Sequence, residues 1–479
     1  MVADTAIVNV KIVDGSGAAP TPGCVTIVKD RIGTISKDLR GSAQEIVDGR
    51  GKVLAPGFID AHTHDDRALL AHPDMTAKLS QGVTTVVTGN CGISLAPLEE
   101  KEPVPPLNLL GDRACWRYPD FDSYAEALDR RPPALNSLML IGHSTLRVSS
   151  MTELDRPASK SELDRMCASL DQCLVSGAAG MSTGLAYPPA WNAPTEEVVE
   201  LASVLKDHRK LHTTHMRDEE DDIISSIEET LRIGREADVP VLISHHKTCG
   251  RENWGRTRET LSLIADARRS QSVCCDVYPY TASSTVLLRE FVTRSERVMI
   301  TWSTPLPEFA KMDLSDIAKE LKCDLYEAVD RLQPAGAIYF QIADEDLERV
   351  LAYPDALIGS DGLPHDPHPH PRLWGTFPRV LGHYARDCNL FTLQEGVRKM
   401  TGATAETFGM RDRGFIREGM FADLVLFDPE TIIDRATYEE PDQPSAGVDT
   451  VWINGSCAFD KGRCTENYKG RLLTAFNNL

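Results

Sequence analysis

The chain has 479 residues, of which 42% are hydrophobic and 25% charged, a composition typical of a globular protein with a large buried core. Its net charge of −20 argues against a phosphate-binding surface, so neither nucleic acid nor an anionic membrane is expected as a partner. No segment has the ~20 apolar residues that cross a bilayer, and MVADTAIVNV is not a signal-peptide pattern. Twelve scattered cysteines favour reduced thiols in the cytoplasm. No pattern indicates an oligomeric state.

Both ends of the chain are rich in short β-strand patterns. The N-terminal end contains AIVNVKIVDG and the C-terminal end contains FADLVLFD, each followed by turn residues and without helical periodicity. The strand patterns of the two ends are similar, and the region between them has a different pattern. This arrangement predicts one small β-sandwich domain formed by both termini. Residues 1–54 are its predicted N-terminal part and residues 413–479 its predicted C-terminal part.

The middle, residues 55–412, alternates strand and helix patterns. Alternation of this kind predicts a parallel sheet, and about eight repeats predict an α/β fold, a (β/α)₈ TIM-like barrel. A stretch from about 286 to 345 breaks the rhythm and is expected to be an inserted lid segment over the barrel mouth. Strands are expected at 82–87, 138–143, 180–184, 210–215, 239–246, 273–280 and 355–361.

One helix of this middle region has both of its ends marked in the sequence. SKSE, beginning at Ser159, is a capping box that predicts the helix start, and Gly177 predicts its end. Leucine, methionine and cysteine side chains between them recur on one face, so this helix is expected to pack on the barrel.

Histidines stand where several predicted strands end. GFIDAHTH places His62 and His64 two residues apart, so that both point to one side of their strand. Two hydrogen-bonded core histidines are the plain alternative, but paired imidazoles are costly to bury without a metal or another partner. His215, His245 and Asp361 end three further strands. Strand ends that supply His and Asp at one barrel face favour a metal site.

Several motifs together resemble the amidohydrolase superfamily and, more narrowly, the D-aminoacylases (N-acyl-D-amino-acid deacylases), over essentially the full length. They are GFIDAHTH, TGNCGIS, GHSTLR, TTHMRDE, ISHHK and GSDGLPHDPHPHPRLWGTF. GFIDAHTH and GSDG alone indicate only the superfamily, whereas TGNCGIS and HPRLWGTF are more specific. The resemblance implies zinc-dependent hydrolysis of the amide bond of small-molecule N-acyl-D-amino acids, giving a carboxylate such as acetate and a free D-amino acid.

Cys91, in VTGNCGIS, follows a predicted strand and could be buried filler, a redox group, a nucleophile or a metal ligand. Many amidohydrolases bridge two metals with a carboxylated lysine after the fourth strand, but GMSTGLAYPP has no Lys there. A thiolate with two imidazoles and an open position suits Zn²⁺. The resemblance implies one tightly bound Zn²⁺ and a second, weaker position that share Cys91. The tight position would use Cys91, His215 and His245, and the weaker one His62, His64 and Asp361.

Two residues are expected to act on the reacting atoms. By resemblance, Asp361 would take a proton from the attacking water and later deliver it to the leaving amine. The resemblance also implies that the phenol of Tyr187, in GLAYPP, would help zinc to stabilise the tetrahedral oxyanion. The alternative for Tyr187 is packing with a solvated hydroxyl group.

The resemblance also indicates which side chains hold the substrate α-carboxylate. Lys247, Tyr278, Ser284 and Arg372 match positions with this role in relatives, and they offer two cations and two hydroxyl donors. For Lys247 and Arg372, a structural ion pair is the alternative. Holding the carboxylate on one side of the scissile amide would select the D-configuration.

The preferred substrate side chain is a separate question. Apolar D-residues are the hypothesis, with N-acyl-D-glutamate as the alternative, because STVLLREFVTR offers Arg289 and Arg294 around Phe291. A hydantoinase-type cyclic amidohydrolase and a barrel relative without activity are rival functions. The missing lysine bridge argues against the first, and the complete ligand set argues against the second.

Two further histidine groups are given lesser roles. His143, at the predicted end of the third strand, is expected to support the site from behind the ligands. His365, His368 and His370, separated by prolines, are expected to form a rigid loop.

Overall fold

The structure, a computed structural model, describes residues 2–99 and 101–474. The strands are, in chain order, β1 (Ala3–Ile12), β2 (Thr21–Val28), β3 (Arg31–Ser36), β4 (Ala43–Asp48), β5 (Val53–Pro56), β6 (Phe58–Asp60), β7 (Val83–Thr88), β8 (Leu98–Glu99), β9 (Arg117–Tyr118), β10 (Asn136–Gly142), β11 (Gly180–Gly184), β12 (Leu211–His215), β13 (Val241–Ile243), β14 (Val273–Val277), β15 (Ala282–Val286), β16 (Arg297–Ser303), β17 (Ala335–Phe340), β18 (Ala356–Ile358), β19 (Leu424–Phe427), β20 (Val448–Ile453), β21 (Ser456–Asp460) and β22 (Arg463–Cys464).

The helices are α1 (Ala68–Ala71), α2 (Thr76–Leu79), α3 (Phe121–Arg130), α4 (His143–Ser150), α5 (Lys160–Ser176), α6 (Thr195–His208), α7 (Ile223–Ala237), α8 (Thr257–Ala267), α9 (Arg289–Val292), α10 (Leu314–Leu321), α11 (Leu325–Leu332), α12 (Asp344–Ala352), α13 (Arg372–Arg379), α14 (Leu393–Lys399) and α15 (Gly402–Thr407). A π-helical segment, Val380–Asp387, continues α13. Within the described ranges, no helix combines the length and the apolar character that crossing a membrane requires.

Eight parallel strands form a nearly closed barrel, so the predicted (β/α)₈ fold is confirmed. Their order is β6-β7-β10-β11-β12-β13-β14-β18. The first and last strands meet where the Ala61 amide donates to the Ile358 carbonyl at 3.1 Å and Thr63 pairs with Gly362. Every residue of β7 and of β10 is buried, as expected for parallel strands covered by helices on the outside. All carboxyl ends of the strands therefore face one end of the barrel.

Both termini of the chain build a second, nine-stranded sheet. Strands β1 to β5 come from the N-terminal end and β19 to β22 from the C-terminal end. The two contributions join where β19 pairs antiparallel with β5, with Leu424 opposite Pro56. One apolar cluster buries side chains from both, including Ile7, Val25, Leu54, Leu426 and Trp452.

Helix α5 confirms the prediction made from its caps. The Glu162 amide donates to the Ser159 hydroxyl, and the Ser159 amide donates to the Glu162 carboxylate at 2.8 Å. Gly177 ends the helix with φ = 119°, a left-handed conformation that favours glycine. The apolar face of α5 is buried, including Leu163, Met166, Leu170, Cys173 and Leu174.

An inserted subdomain, residues 282–340, lies between the last two barrel strands. Strands β15, β17 and β16 form its antiparallel sheet, and helices α9 to α11 pack around an apolar core of its own. The sheet begins at Ala282, before the expected start of the insertion at 286. As a result, Ser284 and Thr285 lie on the subdomain and not on the barrel.

Of the expected strands that end earlier in the structure, two show the cause. His143 is the first residue of α4, because the chain leaves β10 at Gly142 and turns into the helix. The predicted strand 239–246 is reduced to β13, because the chain turns at His245, where φ is 36°. Both differences arise at the carboxyl end of a strand, where the side chains of the candidate site lie.

Candidate active site

His62, His64, Cys91 and Asp361 meet at the carboxyl end of the barrel. The histidines follow β6, Cys91 follows β7 and Asp361 follows β18. The His62 Nε2 atom lies 3.2 Å from Cys91 Sγ and 3.5 Å from Asp361 Oδ1. The His64 Nε2 atom lies 3.2 Å from the same carboxylate oxygen. These side chains can therefore hold one metal ion.

A second group shares Cys91. His215 ends β12, and His245 lies shortly after β13. The Cys91 Sγ atom is 3.4 Å from His245 Nε2, which is 3.0 Å from His215 Nδ1. The ligand atoms of each group lie within 4.8 Å of one another. The structure thus brings together all six predicted metal ligands in two groups joined by one thiol.

The donor set fits Zn²⁺. Zinc binds nitrogen and sulfur ligands at about 2.0–2.3 Å, so neighbouring ligands of a tetrahedral ion lie about 3.3–3.7 Å apart. The spacings of 3.2 and 3.4 Å around Cys91 Sγ come close to this range. A neutral imidazole offers one donor and one acceptor, so a buried group of imidazoles and a thiol is better satisfied by a cation.

Three of these side chains stand on left-handed backbone. The φ angles are 53° at Cys91, 36° at His245 and 50° at Asp361. This region is unfavourable for residues other than glycine, and it persists where the surrounding structure holds it. In each case the turn directs a side chain from the end of a strand towards the common centre.

Asp276 orients two of the histidines from behind. Its Oδ2 atom lies 3.2 Å from His62 Nδ1, and its Oδ1 atom accepts the His245 amide at 2.8 Å. With its Nδ1 held by the carboxylate, the His62 ring presents Nε2 to Cys91. The sequence reasoning did not single out Asp276. A buried Asp inside the apolar strand VCCDV was the available signal.

Glu219 orients the ring of His245 in the same way, and the sequence reasoning did not single it out either. Its Oε1 atom lies 3.1 Å from His245 Nδ1, and its Oε2 atom lies 2.6 Å from Lys247 Nζ and 3.7 Å from His215 Nε2. Burial opposes ionisation of Glu219, but Lys247, His215 and His245 together outweigh it and hold its pKa well below the usual range. Its place in TTHMRDE, four residues after the ligand His215, was the only signal in the sequence.

The charges of the site favour an ionised thiol and carboxylate. Burial opposes ionisation of Cys91, but His62 and His245 outweigh it and bring the thiol pKa well below its usual value. Burial likewise opposes ionisation of Asp361, but Arg372, with its NH1 atom 2.9 Å from Asp361 Oδ2, lowers the carboxyl pKa. Both groups are thus held in the form that binds a cation.

Tyr187 stands beside the ligands on the wall of a cavity of about 460 Å³. Its ring centre lies 4.8 Å from that of His215, and its Oη atom lies 3.0 Å from Thr285 Oγ1 on the inserted subdomain. Burial and the nearby Cys91 raise the pKa of Tyr187 well above its usual value. The phenol therefore keeps its proton and can donate it in a hydrogen bond.

The predicted carboxylate-binding residues lie together, but they differ in their partners. Lys247, Tyr278 and Ser284 line the cavity, and the buried hydroxyl groups of Tyr278 and Ser284 have no hydrogen-bond partner among the described residues. Arg372 is fully buried behind them, where its NH2 atom donates to the Ser284 carbonyl at 3.0 Å. The hydroxyl groups are available to a ligand, whereas both cations already contact acidic side chains.

Arg289 and Arg294, the two arginines considered for the substrate side chain, have different positions on the inserted subdomain. Arg294 lines the cavity and forms ion pairs with Glu220 and Asp221. Arg289 lies outside the lining, where it contacts Asp330 at 3.5 Å and the ring of Tyr326. Of the two, it is Arg294 that reaches the space available to a substrate.

The remaining histidines stand apart from the ligands. His143 Nε2 lies 3.0 Å from Glu197 Oε1, in a buried group of three residues that also includes Arg147. In the proline-rich loop, His368 Nε2 lies 2.7 Å from the Tyr438 carbonyl oxygen, and His370 Nε2 lies 3.0 Å from that of Ala282. These contacts fix the loop that leads from Asp361 to Arg372.

Comparison with known proteins gives a consistent result. The sequence pattern of the Amidohydrolase family matches residues 45–278 and 312–459. D-aminoacylase of Alcaligenes xylosoxydans xylosoxydans is 50% identical over 96% of this chain and 96% of its own. N-acyl-D-aspartate deacylase of the same organism is 45% identical over 98% of this chain and 95% of its own. The solved structure of N-acyl-D-glutamate deacylase from Bordetella bronchiseptica, complexed with zinc and a phosphonate mimic of the tetrahedral intermediate, is 41% identical. It covers 99% of this chain and 100% of its own, with a TM-score of 0.94.

Proposed function

The chain belongs to the amidohydrolase family, and we propose that it hydrolyses the linear amide bond of N-acyl-D-amino acids. The products are a carboxylate, such as acetate, and a free D-amino acid. The observation that carries the proposal is the group of buried imidazoles around Cys91, next to Asp361. This group is open to a cavity whose described wall carries hydroxyl groups without a hydrogen-bond partner. Full-length relatives with N-acyl-D-amino-acid deacylase activities support it.

The metal would be held in two positions that share one thiolate. Cys91, His215 and His245 would hold one Zn²⁺ tightly, and His62, His64 and Asp361 would line a second, weaker position. When bound, zinc polarises water and the scissile carbonyl and so supplies the nucleophile at neutral pH. Asp276 and Glu219 keep the rings of His62 and His245 turned towards this centre.

Asp361 moves the proton of the reaction. Its carboxylate accepts a proton from the attacking water, and the same oxygen then donates it to the leaving amine nitrogen. Arg372 supports the first step because it keeps Asp361 ionised. Tyr187 donates a hydrogen bond from Oη to the oxygen that becomes negative, since its raised pKa keeps the phenol neutral.

The α-carboxylate of the substrate is bound by Lys247, Tyr278, Ser284 and Arg372. The hydroxyl groups of Tyr278 and Ser284 supply direct hydrogen bonds, and the cations supply the positive charge. With the carboxylate fixed on one side and the amide at the metal centre, one configuration at Cα directs the side chain into the remaining cavity. This arrangement is the basis of the proposed preference for D-amino acids.

The substrate side chain is proposed to be apolar, as in D-leucine, D-methionine or D-phenylalanine. Apolar residues line the cavity, among them Ile93, Leu109, Leu288, Phe291 and Leu363. The alternative is an acidic side chain, since relatives deacylate N-acyl-D-aspartate and N-acyl-D-glutamate, and Arg294 lines the same cavity.

A panel of N-acetyl-D-amino acids, each paired with its L-enantiomer, tests the proposal. We expect acetate release from the D-methionine, D-leucine and D-phenylalanine derivatives, little from any L-enantiomer and no turnover of hydantoin. Hydantoin turnover without deacylation of any N-acetyl-D-amino acid would contradict the proposal. The cytoplasmic location expected from the cysteines stays a prediction for cell fractionation.

A further inference from the structure

The described cavity wall carries more acidic than basic side chains. Asp218, Glu219 and Glu220 come from the segment after β12, and Glu290 comes from α9. The lining cations are Arg217, Lys247 and Arg294. Each is near an acid, so the described cavity wall leaves no excess of positive charge for a ligand.

Arg217 and Lys247 are engaged on the barrel. Arg217 NH2 lies 2.9 Å from Glu229 Oε1, and Lys247 Nζ lies 2.6 Å from Glu219 Oε2. Lys247 is next to the ligand His245 and belongs to the proposed α-carboxylate site. Arg294 is therefore the lining cation that could reach a second carboxylate, on the substrate side chain.

Arg294 forms an ion pair with Glu220, and this contact opposes the burial and the neighbouring acids that raise the pKa of Glu220 to about 7. The Arg294 guanidinium contacts the Glu220 carboxylate through NH1, and its NH2 atom lies 3.5 Å from Asp221 Oδ2. The Glu220 side chain is 10% exposed and that of Arg294 is 39% exposed. The pair thus joins the barrel to the inserted subdomain at the wall of the cavity.

An acidic substrate side chain is disfavoured by this arrangement. It would have to displace Glu220 from Arg294 and leave that carboxylate, next to Asp218 and Glu219, without its cation. Like charges a few ångströms apart in a partly buried site repel strongly, and a desolvated unpaired charge is unfavourable. An apolar substrate side chain neither displaces Glu220 from Arg294 nor leaves a carboxylate unpaired. Rejection by an unpaired charge is a common source of specificity.

We propose that Glu220 is a specificity-determining residue that withholds Arg294 from acidic substrates and so favours apolar N-acyl-D-amino acids. The inference rests on the proposed deacylase function, since it names the substrate class of the same cavity. The Glu220 carboxylate contacts neither the metal ligands nor the proposed α-carboxylate site. In this inference it determines the choice between acidic and apolar substrates.

Glu220→Gln tests the inference because it removes the charge at nearly constant size. We expect the ratio of kcat/KM for N-acetyl-D-glutamate to that for N-acetyl-D-methionine to rise about 10-fold, mainly through a lower KM for the acidic substrate. Glu220→Ala should shift the ratio in the same direction, which covers the case that one variant folds poorly. Glu220→Asp, which keeps the charge, should stay close to the wild-type ratio.

Two arginine variants serve as controls. Adding Arg294→Met to Glu220→Gln should abolish the gain, whereas Arg289→Met should leave the wild-type ratio unchanged, because Arg289 contacts Asp330 outside the cavity. An unchanged ratio in both Glu220→Gln and Glu220→Ala, or a gain that survives the loss of Arg294, would overturn the inference. So would a wild-type preference for N-acetyl-D-glutamate. Wild-type protein inactive on every N-acetyl-D-amino acid would instead refute the deacylase function itself.

Discussion

At the scale of single residues, the glycines of TGNCGIS explain how Cys91 is placed. Gly89 and Gly92 both have positive φ, and a Cβ atom on Gly89 would come within 2.0 Å of the Leu140 carbonyl oxygen. The chain therefore passes close to β10 on glycine, and the thiol between the two turns is directed to the histidines. This is the physical reason why the motif is more informative than the cysteine alone.

Cys91→Ala should lose bound metal and activity together. The variant removes the thiolate that both ligand groups share, and two remaining histidines hold zinc much more weakly. Metal analysis of the purified protein and acetate release from N-acetyl-D-methionine measure the two effects. Cys388→Ala, at an exposed cysteine, should change neither. Full zinc content with full turnover in Cys91→Ala would contradict the assignment of Cys91 as a ligand.

Removing the unpartnered hydroxyl groups should affect binding without affecting stability. Tyr278→Phe and Ser284→Ala each delete a buried hydroxyl that makes no hydrogen bond to any described residue. We expect KM to rise about 5- to 10-fold in each, equivalent to about 1–1.5 kcal/mol for a lost hydrogen bond. The melting temperature should stay the same or rise. A lower melting temperature with unchanged KM would show that these groups act in folding and not in binding.

At the scale of elements, α5 shows how local sequence sets a helix. Ser159 and Glu162 satisfy backbone amides at the first turn, and Gly177 ends the helix. These contacts lie within a few residues, so they could be predicted from the sequence. The ends of β13 and β10 could not be predicted, because the chain leaves these strands where side chains from other strands require a turn.

Ser159→Ala should destabilise the protein by about 1 kcal/mol through loss of the capping box. Thermal or urea unfolding measures the change. Activity should be unaffected, because α5 lies outside the cavity lining. Ser161→Ala, at an exposed position of the first turn, is the matched control and should change stability less. Equal effects of the two variants would show that the cap contributes nothing.

At the scale of the whole molecule, the inserted subdomain completes the cavity. It supplies Ser284, Thr285 and Arg294 to a site whose ligands all come from the barrel. A part-buried contact joins it to the loop after β18, where Trp302 Nε1 donates to Asp366 Oδ1 at 3.1 Å. Burial raises the pKa of Asp366 to about 7, although the hydrogen bond from Trp302 opposes the shift.

The raised pKa of Asp366 predicts that the stability of the protein depends on pH. The folded protein keeps the Asp366 proton up to about pH 7, whereas the unfolded chain loses it near pH 4, so stability should fall as the pH rises between these values. Asp366→Asn removes this contribution. From pH 5 to pH 7.5, wild type should lose on the order of 2 kcal/mol more unfolding free energy than the variant, measured by urea unfolding. Parallel stability curves would contradict the role given to Asp366.

The barrel and the grouping of the candidate ligands at one of its ends could both be predicted from the amino-acid sequence. Strand and helix periodicity is local, so both kinds of element can be recognised from short stretches of chain. The carboxyl ends of parallel strands must meet at one end of a barrel. For this reason His62, His215, His245 and Asp361 could be grouped from the sequence pattern alone.

The side chains that surround these ligands could not be predicted from the sequence, because they come together only in the folded chain. Three pairs join segments that are distant in the chain, and no local pattern encodes them: Glu219 with Lys247, Asp276 with His62, and Glu220 with Arg294. Charge pairing depends on distances of a few ångströms. Here those distances are set by how the turns after the strands and the inserted subdomain pack together.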